Sequence, residues 1–161
     1  MADGTMGNAA TNRASIWAVG YTYLDYVTAA NKNGKLYKVD FYADSVAATK
    51  NMKIKVFREV GANFVQVGSD YSLSTVSAGL NTVTLSTPID VLIGDYIAFW
   101  CDATNWVQID RSEGGGSLYL YAADVTGTLA KASWAAQAHI MSLLGYIQVP
   151  SGGGILAWYF N

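Results

Sequence analysis

The chain has 161 residues, of which 52% are hydrophobic, 13% aromatic and only 14% charged, with a net charge of −2. This length suits one domain, residues 1–161, with a self-sufficient core; the charge content lies well below the roughly 25% of ordinary soluble domains. Such a composition excludes intrinsic disorder, and its acidic balance argues against a nucleic-acid binder. No run of about eighteen apolar residues is present, so no membrane-spanning helix is expected.

Met1-Ala2-Asp3-Gly4 lacks the basic start and apolar core of a secretory signal, and residues 1–13 read as an N-terminal arm. Beyond them the dominant period is two. Strands are expected at Ile16–Tyr26, at the alternating Tyr37, Val39, Phe41 and Ala43, and at Met52, Ile54 and Val56. Lys38, Lys53 and Lys55 fall between these apolar positions and are expected to face water. Gly61-Ala62-Asn63 leads to a hairpin partner at Phe64–Val67. Leu73–Val76 follows, then a Val83/Leu85 run that Pro88 ends, then Tyr96–Cys101, Trp106–Asp110, Leu118–Ala122, Ile140–Val149 and Ile155–Phe160. Leu129–Ala138, rich in alanine, is the one stretch that suits a helix, or else a long loop. About ten strands at this spacing indicate an all-β chain, an antiparallel β-sandwich of jelly-roll type.

Chemistry is sparse. Cys101 is the only cysteine, so no intramolecular disulfide forms, and it reads as a small buried hydrophobe. His139 is the only histidine and starts an apolar strand, where a structural role is expected. One His and one Cys cannot make a zinc site, no Gly-x-Ser-x-Gly elbow occurs, and no cofactor or catalytic residue is expected. Asp110 and Glu113 flank a glycine run and are the sole pair worth weighing for carboxylate or irregular calcium chemistry; ordinary turn capping is the simpler expectation. Glu113-Gly114-Gly115-Gly116-Ser117 and Ser151-Gly152-Gly153-Gly154 lack a phosphate-loop ending and read as flexible hairpin connections.

Two surfaces remain. Trp100, Trp106, Tyr119 and Tyr121 crowd around the first glycine run. With Asp110, Arg111 and Glu113 they could form a sugar platform, although packing is the commoner use of such aromatics. The second surface follows from charge placement. Seven of the ten bases lie between Lys32 and Arg58 and six of the twelve acids between Asp90 and Asp124, whereas Lys131 is the sole formal charge from Val125 to Asn161. A segment that neutral is expected in core or in subunit contacts made by Trp134, Tyr146, Trp158, Tyr159 and Phe160.

Four pieces carry a likeness to other proteins. They are Gly34-Lys35-Leu36, Val56-Phe57-Arg58 followed by Gly61-Ala62-Asn63-Phe64, Ala78-Gly79-Leu80-Asn81-Thr82, and Val91-Leu92-Ile93-Gly94-Asp95-Tyr96-Ile97. Through them residues 35–121 resemble uncharacterised β-sandwich modules of tailed-phage and bacterial surface and structural proteins. The resemblance implies a non-catalytic role and brings no site residues. The combined expectation is a homo-oligomeric structural protein of a virion surface, assembled in the host cytoplasm as a capsid decoration or attachment component, a trimer among its forms. Its partners would be itself, other virion proteins and glycans, not nucleic acid or membrane. The alternative is an extracellular carbohydrate-binding module.

Overall fold

The computed structural model describes residues 3–13, 15–16, 20–46, 51–73, 76–102 and 107–150, with the backbone alone at 15–16, 44–46, 107–115 and 117. Among them are thirteen strands, in chain order β1 (Gly4–Gly7), β2 (Ser15–Ile16), β3 (Thr22–Asp25), β4 (Gly34–Val46), β5 (Met52–Val60), β6 (Asn63–Gln66), β7 (Tyr71–Leu73), β8 (Gly79–Val91), β9 (Tyr96–Cys101), β10 (Val107–Tyr121), β11 (Thr128–Ala130), β12 (Ala135–Met141) and β13 (Leu143–Gln148). The expectation of an all-β, antiparallel chain holds. Every pairing is antiparallel, and the order β1-β13-β4-β10-β3-β9-β5-β6-β11 runs through sheets that include a curled half-barrel. Strand β10 makes the curl: its start pairs with β4, and its end pairs with β3 on one edge and β12 on the other.

Alternation along the strands divides the interior in two. Met52, Ile54 and Val56 of β5 and Ile97, Phe99 and Cys101 of β9 point into a large core shared with Leu36, Val39 and Phe41 of β4. The intervening residues point to the opposite face of the same sheet. There Phe57 and Ala98 join Leu24, Phe64, Val125 and Trp134 in a second, smaller core. Residues 122–134 wrap across that face and cover it, anchored where β11 pairs with β6.

Several expectations are corrected. Within the N-terminal arm, Gly4–Gly7 is zipped along β13 and Met6 is fully buried. The Ile16–Tyr26 strand is interrupted, with Gly20 at φ +83° preceding β3. In β4 it is Leu36, not Tyr37, that enters the core: Tyr37 is skipped in the ladders to both neighbours, and this bulge shifts the alternation by one. Of the expected Leu73–Val76 strand, Leu73 ends β7 and Val76 belongs to no strand, while residues 74–75 lie outside the described residues. Pro88 does not end its strand. The register of β8 jumps from Lys38–Thr84 to Leu36–Ile89, so residues 85–88 lie opposite Tyr37 alone, and a proline fits such a bulge in an edge strand. The first glycine run is likewise no hairpin. Residues 114–117 bulge inside β10 opposite Ala138, and Gly116 sits so close to β12 that a Cβ would stand 2.2 Å from the His139 carbonyl oxygen. Leu129–Ala138 is not helical beyond a single 3-10 turn at Lys131–Ser133, because pairing of β11 and β12 with their neighbours overrides alanine's helix preference. Ile155–Phe160 and the second glycine run lie outside the described residues.

Candidate functional site

The expectation that Lys53 and Lys55 face water is overturned by the cover over their sheet face. Lys55 is fully buried. Its Nζ lies 2.8 Å from Asp70 Oδ1 and 2.7 Å from Asp124 Oδ1, and donates to the Val125 carbonyl at 3.0 Å. Lys53, one quarter exposed, bonds Asp124 Oδ2 and stands 3.3 Å from Asp70 Oδ2. Gln66 ties the group to the covering segment, donating to Asp70 and accepting from the Gly127 N–H. Burial works to raise the Asp124 pKa, but the hydrogen bonds from Lys53 and Lys55 outweigh it and hold the carboxyl below its usual range. Lys53 is pushed up, first by its bond to Asp124. Two lysines and two aspartates thus neutralise one another and lock residues 122–127 onto β5.

A second lock sits one turn further on. Lys131 Nζ donates to Glu59 Oε1 and to the Tyr26 hydroxyl, each at 2.8 Å, and lies 4.2 Å from the Tyr26 ring centre with Phe64 and Tyr119 just beyond. The bond from Lys131, then that from Tyr26, lowers the Glu59 pKa. Tyr96 packs on Tyr26, and burial pushes its hydroxyl up to about 12.

The Gly94-Asp95 turn is a third ordered unit. Gly94 takes φ +95°, and the buried Asp95 accepts both arms of an Arg58 fork, at 2.7 and 2.8 Å, together with the Leu92 N–H. A fourth is Asp25, bonded by Asn8 Nδ2 and the Val27 N–H. Burial dominates there and raises its pKa from 3.8 to about 6. Because the folded pKa exceeds the unfolded one, Asp25's contribution to stability is full below pH 3.8 and is lost as pH rises through 6. Urea midpoints are expected to show about 1 kcal/mol more stability at pH 5 than at pH 7 from this group. Asp25→Asn should flatten that slope; an unchanged slope would place the titration elsewhere.

The expected sugar platform is only partly gathered. Cross-strand pairing puts Tyr121, Thr22, Trp100 and Lys53 in one row, with Lys53 Nζ 5.0 Å from the Trp100 ring centre. Tyr121 packs against Trp134, and Tyr119 against Phe64 and Tyr26, so both tyrosines serve the second core. Asp110, Arg111 and Glu113 lie in β10, in register with Ile16, Ser15 and His139 respectively, and their side chains lie outside the described set. Trp106 lies outside it altogether. Among the described residues no group of three His, Cys, Asp or Glu is placed to hold a metal ion, and no helix is long and apolar enough to cross a membrane.

No family model matches this chain, and no curated protein or solved structure matches it either.

Of the expected subunit-contact residues, Trp134 is buried within its own chain, edge-on to Phe57 and Phe64. Tyr146 donates to Asp40 at 2.6 Å beneath Lys38, whose Nζ stands 3.7 Å from its ring centre; the bond to Asp40 is the main reason its hydroxyl is pushed up to about 12. Trp158, Tyr159 and Phe160 lie outside the described residues. The uncharged segment is mixed: Leu143 and Ile147 are core, whereas Ala135, Ala136, Gln137 and Ala138 are exposed in succession. The sequence reads Lys55 as a solvated lysine and does not mark Asp70 or Asp124, which look like turn-capping aspartates, as its partners.

Proposed function

We propose that this protein is a non-catalytic, self-associating structural component of a virion surface, its two facing sheets forming a sandwich of jelly-roll type. The observation that carries self-association is β12. It pairs with β10 along one edge, and its other edge carries no strand among the described residues. Exposed edges are ordinarily blunted by lysine, proline or inward charge. Ala135–Ala138 has none of these, is exposed at four positions in a row, and lies in the segment whose only formal charge is Lys131. A second copy paired antiparallel along this edge would cover it on both chains and close a two-fold dimer, from which a larger assembly needs a further contact. The virion setting is supported by the resemblance over residues 35–121.

Size-exclusion chromatography with light scattering tests the reading. The wild-type chain is expected to run as an oligomer, and A136K with A138K as a folded monomer of unchanged circular dichroism. A wild-type chain that stays monomeric at every concentration would sink the reading.

The alternative, a carbohydrate-binding module built on the 100–121 aromatics, is weakened by the use of Tyr119 and Tyr121 in packing.

A further inference from the structure

Two concavities among the described residues lie on neither of those surfaces. The short edge strand β7 belongs to one sheet and the edge strand β8 to the other, and the gap between them is a groove in two basins. The first, about 620 Å³, is walled by residues 67–72 and 86–90; the second, about 480 Å³, by Tyr71, Leu73, Ser77 and residues 80–84. Both volumes fall in the roughly 300–1,000 Å³ range of small-ligand sites. Tyr71 belongs to both basins. Its hydroxyl bridges the groove, 3.4 Å from Ser86 Oγ, and accepts the Ser86 N–H at 3.2 Å. The β8 bulge supplies the far wall of the first basin, since residues 85–88 leave the ladder and Ser86, Thr87 and Pro88 stand exposed.

From the lining we infer that this groove binds a neutral oligosaccharide, one portion on each side of Tyr71. No lysine or arginine lines either basin, so nothing there recognises an anion. The two carboxylates present are already paired, Asp70 by Lys53 and Lys55 and Asp90, in an exposed pair, by Lys35 at 2.7 Å, which lessens the attraction for a cation. What remains is amphipathic: hydroxyls of Ser69, Ser72, Ser86, Thr87, Thr82 and Thr84 beside the apolar faces of Tyr71, Pro88 and Leu80. That mixture matches a sugar, whose hydroxyls need donors and acceptors and whose C–H faces need apolar contact. An extended peptide added to β8 is disfavoured, because Tyr71 already takes the Ser86 N–H and crosses the groove at mid-length. This site is independent of the β12 edge, so it stands or falls separately from self-association.

The test uses the full chain against an array of neutral and acidic glycans, with amide chemical shifts to locate binding. A neutral oligosaccharide is expected to bind and to move the amides of residues 67–72 and 80–90. T87R and T82R, each at an exposed position, should weaken it by about tenfold or more, while A136K leaves it unchanged. Absence of any neutral ligand, binding that survives T87R and T82R together, preference for acidic glycans, or occupation of the groove by an extended peptide instead would each overturn the inference.

Discussion

Lys55→Ala is expected to destabilise the fold by about 3–5 kcal/mol, the usual consequence of removing one partner from a buried ion pair. The side chain is fully buried, and its loss leaves Asp70 and Asp124, themselves largely covered, to share Lys53 as the one cation among the described residues of the cluster. It also removes the donor to the Val125 carbonyl, loosening the segment that roofs the second core. Urea denaturation measures the loss directly. A double-mutant cycle with Asp124→Asn should show strong coupling between the two positions. The acid limb supplies a second check. Asp124's folded pKa is depressed, so its contribution is present above the unfolded value of 3.8 and is lost as pH falls through the lower folded value. Lys55→Ala should blunt that acid loss. A midpoint shift of only a few tenths of a kcal/mol, typical of exposed pairs, would contradict the buried network.

Trp134→Ala carries an effect of similar size, about 3–5 kcal/mol, by opening a cavity between the covering segment and its sheet. The indole meets Phe57, Phe64 and Tyr121 at centroid distances of 5.6–5.9 Å, so its removal deprives three aromatic neighbours of contact at once. Trp134→Phe should be far milder, about 1 kcal/mol. Among the described residues the buried indole Nε1 has no hydrogen-bond partner, and replacing the indole by phenyl removes that donor while keeping an edge-on ring. Thermal unfolding followed by circular dichroism separates the two. Equal losses for both variants would mean that the indole nitrogen has a role that the described contacts do not supply.

Strand content was legible in the sequence because alternation survives wherever one face of a strand meets the large core. Met52, Ile54 and Val56, or Ile97, Phe99 and Cys101, announce themselves without any knowledge of their partners. What alternation cannot convey is the fate of the other face. Lys53 and Lys55 have the spacing of a solvated face; Lys55 is buried and Lys53 largely covered because residues 122–134, distant in the chain, come to lie over them. Bulges are hidden for a related reason. Whether Gly114-Gly115-Gly116 turns the chain back or swells inside one strand depends on the neighbour offered, and β12 offers a backbone so near that only glycine fits at 116. Pro88 deceived in the same way, since it stops a central strand but not the bulge of an edge. The groove was invisible because β7 and β8 belong to different sheets, and serine and threonine on a strand look alike whether they line a cleft or bulk water.

The pairing of β1 with β13 bears on the order in which this fold can be completed. Gly4–Gly7 take Thr28 and Asn31 beside them on one side, but find their strand partner far along the chain, at residues 144–147. Strand β4 can take β8 early on one edge, yet on its other edge β10 covers only the end of the strand, and the rest waits for Leu143–Gln148. The large core therefore cannot close before Leu143–Gln148 has joined β4. Its completion waits on pairings across nearly the whole chain, which form slowly, and the waiting edges of β4 and β1 are open to premature association in the meantime.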